Sequence, residues 1–396
     1  MRDVVITGLG ICSCAGIGWN TFWESIRSGR AAFHVAQMEL ATLRVNLVGS
    51  VNAALDADSA YRSSNTPQVA FNRTFELLSN AAALAIEDSG LPSACRVSTR
   101  GGIVVAIGGL SECMVGSDCE LRSCKPTHPL DRLRQLPNIG AALVAIQHRL
   151  EGPSVTLIGD ATAGVQAILQ ASELVRNGVV DYALCGAADA RLTVDHVAEM
   201  AKRQQMSPAT SASNACRPFD IAGQGIIASE GAVLMLLECG ETASRRGARI
   251  YAGIKGSAVG RKECSGWSTA MCDAAALFSD NVDGIIAHGD GTPASDAEEA
   301  NTIDEVSRRL GSHPLVTSVQ GIIGHCMCAS GVFAVASTCL ALLTGTIPIL
   351  RSLREPVNAS IRFARPAVSY APPHRLLANT RGEHGTIVCV ALERVI

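Results

Sequence analysis

The sequence predicts a layered α/β protein, and three observations carry that reading. Strand-like apolar runs alternate with helix-length segments along the whole chain. Gly numbers 37 and Ala is plentiful while aromatics are only 4%, which suits helices packed closely on a sheet. Two strands ending in Gly, Val4 to Gly8 and Ile250 to Gly256, open similar stretches and hint at a duplicated unit. At 396 residues the chain is too long for one small core and suits two domains or one large α/β body.

Taken in order, Val4 to Leu9 is strand-like, a Gly/Ser/Cys-rich loop runs to Gly18, and Asn20 to Ser28 is helical. A long helix is expected over Val69 to Asp88, stopped by Ser89-Gly90-Leu91-Pro92. Gly101 to Ile107 reads as a buried strand closed by Gly108-Gly109. Residues 110 to 137 are irregular, broken by Lys125-Pro126, His128-Pro129 and Pro137, and Asn138 to Leu150 is helical. Val180 to Cys185, Ala232 to Glu238 and Ile250 to Gly256 follow as strands, with a helix at Thr242 to Arg246. The last third alternates strand Gly284 to Ala287, helix Ala294 to Leu310, strand Leu315 to Val319 and helix Ala329 to Leu343. It closes on strand Ile387 to Glu393.

Composition removes several functions. A net charge of -3 gives no argument for nucleic acid or an anionic membrane. Met1-Arg2-Asp3 leads straight into a strand, so no signal peptide is expected, and no apolar run reaches the ~18–20 residues of a membrane span. The 15 Cys therefore read as small buried hydrophobes in a reducing cytoplasm. They lack paired CxxC spacing, and no metal site is expected.

The stretch GPSVTLIGDATAGVQAILQASELVRNG, residues 152 to 178, has the layout of a catalytic elbow. A short strand (Val155 to Ile158) enters a turn of small residues, and a helix follows with Val165, Ile168, Leu169 and Val175 on one face. Such a turn holds a nucleophile at a helix start, where the dipole and free N–H groups favour negative charge. At its tip stands Ala161, whose methyl has no lone pair and forms no thioester. Asp160 would give a labile anhydride, and Thr162 needs a base and lies one residue out of register.

Five stretches in order resemble the β-ketoacyl-acyl carrier protein synthases of the thiolase superfamily. They are Met1 to Arg30, RPFDIAGQGIIASEGAVLMLLE (Arg217 to Glu238), AHGDGTPASDAEE (Ala287 to Glu299), GIIGHCMCASG (Gly321 to Gly331) and NTRGEHGT (Asn379 to Thr386). The resemblance implies a thiolase-like α/β fold of two similar βαβαβαββ halves in five layers (α-β-α-β-α), divided here as residues 1–240 and 241–396. It also implies an obligate dimer whose elbow strands pair across the axis.

Carried over residue by residue, the resemblance places Ala161 at the family's acylated Cys. His288 and His325 fall on the two histidines that stabilise the thioester oxygen as malonyl loses CO2. The alternative for these two is hydrogen-bonded core residues that the loops need for folding. Asp296 and Glu299 are expected to cap the helix after His288. The family's active-site Lys falls on Gln320. Two aromatic gate positions fall on Arg381 and Glu383, with His384 in place of a Gly. Arg381 and Glu383 either pair to seal the mouth or face solvent.

Nucleophile, lysine and gate are altered together. That pattern resembles the chain-length-factor subunits of type II polyketide synthases, which lack the Cys, pair with an active ketosynthase as a heterodimer, and often carry an acidic residue where Asp160 stands. Many have Gln at the tip, unlike Ala161. The function so implied is a non-catalytic subunit that shapes the acyl tunnel of polyketide or fatty-acid-like chain elongation. It would have no bound cofactor, because the substrates ride on the phosphopantetheine of an acyl carrier protein. The loop after Gly108-Gly109 (Glu112, Cys113, Met114) and the stretch before Pro137 (Leu130, Leu133, Arg134) would line that tunnel. Two alternatives stand beside it: an enzyme of altered chemistry, decarboxylating malonyl or transferring acyl groups with His288 and His325, and a purely structural scaffold.

Overall fold

The computed structural model describes residues 2–40, 43–51, 72–92, 100–108, 136–203, 205–261, 266–366, 368 and 370–395. Ten strands form the through path of the main sheet, with the two-residue strand Gly16–Ile17 pairing beside the first of them: β1 (Val4–Ser13), β2 (Gly101–Ile107), β3 (Ser154–Ile158), β4 (Tyr182–Asp189), β5 (Gly231–Cys239), β6 (Ala252–Arg261), β7 (Gly284–Ile286), β8 (Leu315–Thr317), β9 (Arg375–Arg381) and β10 (Thr386–Glu393). Six helices alternate with them: α1 (Arg73–Asp88), α2 (Asn138–His148), α3 (Ala163–Arg176), α4 (Gly266–Ala275), α5 (Pro293–Leu310) and α6 (Ser330–Thr344).

Along the chain this gives βαβαβαββ twice. The strand order runs β8-β7-β9-β10-β6-β1-β5-β4-β2-β3. Each set of five therefore has its third strand at one edge, then second, fourth, fifth and first. Directions repeat as well. β2 is parallel to β3 and β4, as β7 is to β8 and β9, and the remaining pairs within each set are antiparallel. The sets meet where Val4–Ile6 of β1 pairs with Ala252–Ile254 of β6.

Burial explains the five layers. β-Strands that are apolar on both faces need cover on both. Val165 and Ile168 of α3 and Val332 and Val335 of α6 fill the space between the two strand sets, against Val104 and Ala187 on one side and Ala378 and Val390 on the other. Phe75, Leu78 and Leu143 from α1 and α2 cover Ile103 and Leu236 outside the first set. Trp267, Met271 and Ile303 from α4 and α5 cover Ile285 and Leu377 outside the second. The thiolase-like α-β-α-β-α arrangement is thus present in full.

At the centre, α3 and α6 cross on two glycines. A Cβ on Gly164 would lie 2.3 Å from Val332 Cγ2 and 2.8 Å from the Cys328 carbonyl oxygen. A Cβ on Gly331 would lie 2.6 Å from Val165 Cγ2 and 2.7 Å from Thr380 Oγ1. Each helix carries a glycine where the other's valine must fit.

The structure corrects several boundaries. The strand expected at Val180 to Cys185 runs instead from Tyr182 to Asp189, and β6 extends five residues beyond Gly256 to Arg261, since pairing with β10 supports it. The first long helix starts at Arg73, where Asn72 accepts a hydrogen bond from Phe75 N at 2.9 Å and caps it; residues 69 to 71 lie outside the described residues. Helices at Val194–Lys202 and Gly266–Ala275, strand β9 and the hairpin of His34–Leu40 with Leu43–Val48 were not legible from periodicity. One expectation fails outright: Met327–Thr344 is long and apolar enough to cross a bilayer, but 89% of it is buried within the protein. A helix apolar all round is here the core between two sheets. The ten described cysteines are free thiols.

Because the α3–α6 crossing leaves no room for a methyl, Gly164→Ala should lower the thermal midpoint, with a cost of about 1–3 kcal/mol for overpacking. An unchanged midpoint by calorimetry would show that the helices can separate freely.

Candidate functional site

The elbow forms as its residues dictate. β3 ends at Ile158, Gly159 and Asp160 turn the chain, and Ala161 is 2% exposed just ahead of α3. Thr162 does not take the missing role: its Oγ1 donates to Asp160 Oδ1 at 2.8 Å and accepts from Gln166 Nε2 at 3.1 Å, and it is buried. The carboxylate of Asp160 lies against Gly382, where a Cβ would sit 2.1 Å from Asp160 Oδ2, so the acid packs on the β9–β10 turn.

The two histidines come from different loops of the second half. His288 follows β7, and the loop is pinned from α5. Glu299 accepts from His288 N at 3.0 Å and Gly289 N at 2.9 Å, while Asp296 accepts from Asp290 N, Gly291 N and Phe219 N at 3.0, 3.2 and 2.7 Å. Neither acid caps its helix as expected, since both reach back across the loop. Burial raises both carboxyls, with neighbouring Asp290 adding to the rise at Asp296. Gln320 braces His288 from below, its Nε2 donating to the His288 carbonyl at 2.9 Å and lying 3.3 Å from Nδ1.

His325 sits where its N donates to Ile227 O at 2.8 Å and its carbonyl accepts from Ser229 N at 3.0 Å. The two imidazoles are edge to face, 6.0 Å apart. Burial, then the neighbouring His288, pushes the His325 imidazole down to about 4. Two residues on, Met327 holds φ +46°, a strained conformation for a non-glycine residue.

His288, Asp290, His325, Met327, Arg381 and Glu383 are among the residues that line a cavity of about 210 Å³. Ala161 and Thr162 are not on its wall. Arg381 and Glu383 do not seal the mouth as a pair: Arg381 Nη1 binds Ser295 Oγ and Glu298 Oε2, each at 3.1 Å, and Glu383 meets Arg203 at 3.4 Å. Glu112, Cys113, Met114, Leu130, Leu133 and Arg134 lie outside the described residues.

Sequence reasoning missed Asp290. Burial raises its carboxyl, but the hydrogen bond from His288, the nearby imidazoles and the Thr292 N–H outweigh that and hold it at about 2. The signal was present: an acid two residues after a candidate histidine. It also missed Asp189, fully buried, held by Arg191 Nη2 at 2.8 Å and accepting from Cys328 N at 3.3 Å, which ties β4 to the loop after His325. Among the described residues there is no group of three or more His, Cys, Asp or Glu placed to hold a metal ion.

The duplicated halves, the elbow between β3 and α3 and the two histidine loops define a thiolase-like protein. The chain belongs to the β-ketoacyl synthase family: residues 1–243 match its N-terminal domain and residues 254–354 its C-terminal domain. It is 30% identical over 388 residues to the tetracenomycin polyketide synthase ketoacyl synthase alpha subunit of Streptomyces glaucescens, covering 90% of this chain and 88% of that one. It is 26% identical to 3-oxoacyl-[acyl-carrier-protein] synthase 2 of Coxiella burnetii, over all of this chain and 99% of that one. The ishigamide ketosynthase/chain length factor has the same fold, with a TM-score of 0.85 at 24% identity over the whole of both chains.

His325 gives the site a pH signature. Unfolded, its imidazole takes a proton below about 6.5, whereas the folded site refuses one until about 4. Stability from this residue is complete above pH 6.5 and is lost as pH falls toward 4. Between pH 7 and pH 5 the wild type should lose about 2 kcal/mol more than His325→Gln. Equal losses in denaturant titrations would mean that His325 is protonated in the folded state.

Proposed function

We propose that this chain is a non-catalytic, chain-length-factor-like subunit that pairs with an active β-ketoacyl synthase and shapes its acyl tunnel during polyketide or related chain elongation. The observation that carries the reading is Ala161 at the elbow tip, with Thr162 tied to Asp160 and Gln166. Neutral Gln320 and the charged residues Arg381 and Glu383 support it, since an elongating enzyme altered at only one position would have kept its surroundings. Its similarity to a polyketide synthase ketoacyl synthase alpha subunit supports the pathway class.

The surface favours a partner. β3 is an edge strand with Ile158 66% exposed, and nearby Ile146 and Leu136 are 60% and 46% exposed. An apolar, unpaired edge is a site for strand pairing with another chain. In this reading the partner is the ketosynthase, both subunits work in the cytoplasm, and the growing chain is presented on the phosphopantetheine of an acyl carrier protein. Cys113 and Leu133, outside the described residues, are the candidates to line the partner's acyl pocket in this reading.

Incubation with an acyl-carrier protein charged with an acyl group should leave residues 159 to 164 without a stable adduct by mass spectrometry. A thioester or ester there would sink the reading. Ala161→Cys alone should restore little elongation, because Gln320 still stands at the position of the lysine.

Co-expressed with an active ketosynthase, the chain should purify as a tight 1:1 complex, burying well over ~2,000 Å² as obligate interfaces do. Leu133→Trp or Cys113→Trp should then shorten the products without loosening the complex. Unchanged product lengths in an active complex would leave a scaffold. Turnover of malonyl-carrier protein by the chain alone would favour an independent enzyme.

A further inference from the structure

The orientation of Gln320 fixes the proton on His288. Its amide nitrogen lies 2.9 Å from the His288 carbonyl oxygen, a contact that only the NH2 end can make. The same nitrogen is 3.3 Å from His288 Nδ1, so Nδ1 is the accepting nitrogen and the ring proton of the neutral imidazole is on Nε2. Nε2 in turn faces Asp290 Oδ2 at 3.6 Å, longer than a full hydrogen bond. The N–H best placed to polarise an acyl oxygen is therefore aimed at a carboxylate.

Among the described lining residues, Asp290 is the carboxylate that no Lys or Arg meets. His325, across the cavity, is neutral at pH 7 because burial holds its imidazole down at about 4. From α5, Asp296 stands behind the loop and offers no cation; from the segment Gln320–Ile323, Gln320 is a neutral amide. Arg381 is the cation among the lining residues, and Glu298 already meets it at 3.1 Å. Glu383, also on the wall, is met by Arg203 at 3.4 Å. A cavity of about 210 Å³ is below the roughly 300–1,000 Å³ of drug-sized ligand sites, so any occupant is small.

We propose that Asp290 is a specificity-determining residue that turns this cavity against carboxylate-bearing acyl groups and reserves it for short uncharged ones. A malonyl carboxylate entering here would meet a like charge in a pocket of low dielectric where, among the described lining residues, Arg381 is already paired with Glu298. An acetyl group brings no charge and needs only the space. The selectivity is a property of the pocket and holds whether or not the chain pairs with another subunit, so failure of the partner experiment leaves it standing.

The test is a binding titration of the full-length protein, as purified, with acetyl- and malonyl-N-acetylcysteamine thioesters at pH 7.5. The wild type should bind the acetyl probe at least about tenfold more tightly than the malonyl probe. Asp290→Asn keeps the shape and removes the charge, and should bring the two within about threefold by tightening the malonyl probe. Asp290→Glu should retain the preference. If the Asn variant fails to fold, Asp290→Thr serves in its place. Equal affinities in the wild type, no binding of either probe to any variant, or a preference that survives Asp290→Asn would each overturn the proposal.

Discussion

The close crossing of α3 and α6 on Gly164 and Gly331 is the contact on which the rest of the molecule depends. Both helices begin at functional loops, α3 at the elbow and α6 just after His325. Their N-terminal ends meet at side-chain-free positions, so the elbow, the second histidine loop and β9 gather at one end of the central layer. Thr380 of β9 touches the same Gly331 site, and Gly382, one turn on, receives Asp160. Close packing across this point transmits position, because an interior at crystal-like density has no slack to absorb a displaced helix.

A second constraint is electrostatic. The loops at the cavity have little regular structure, and buried carboxylates satisfy their backbone N–H groups instead. Glu299 and Asp296 hold the His288 loop, Asp189 holds the loop after His325, and Asp220 accepts from Arg354 N at 2.6 Å and Ala222 N at 2.9 Å beside Arg217. Burial alone would drive such acids toward the neutral form, and for Asp296 and Glu299 the upward direction prevails. At Asp220 the hydrogen bonds prevail over burial and its carboxyl is held low. A loop held this way keeps its shape through its own buried carboxylates, and these contacts position the histidine pair.

The surface completes the picture. Among the described residues β3 is the last strand on its side of the sheet, and apolar side chains on it and on α2 are left exposed there. Helices cover both faces of each strand set, so further burial of the sheet must come from its edges.

Much of the fold was written in the chain itself. The alternation of strands and helices, the elbow, the empty nucleophile position and the two histidine motifs are local patterns, set by periodicity, turn residues and short motifs. What failed locally failed for a physical reason. β9 and α4 carry no strong pattern and exist because their neighbours cover them. Met327–Thr344 has the length and composition of a membrane span, and the two sheets around it make it core instead. The pairing of Arg381 with Glu298 rather than Glu383, the reach of Asp296 and Glu299 back to the histidine loop, and the aim of His288 Nε2 at Asp290 join residues through the fold rather than along it. Sequence fixed which groups were available, and the glycine crossing and buried charges of the tertiary structure decided which of them meet.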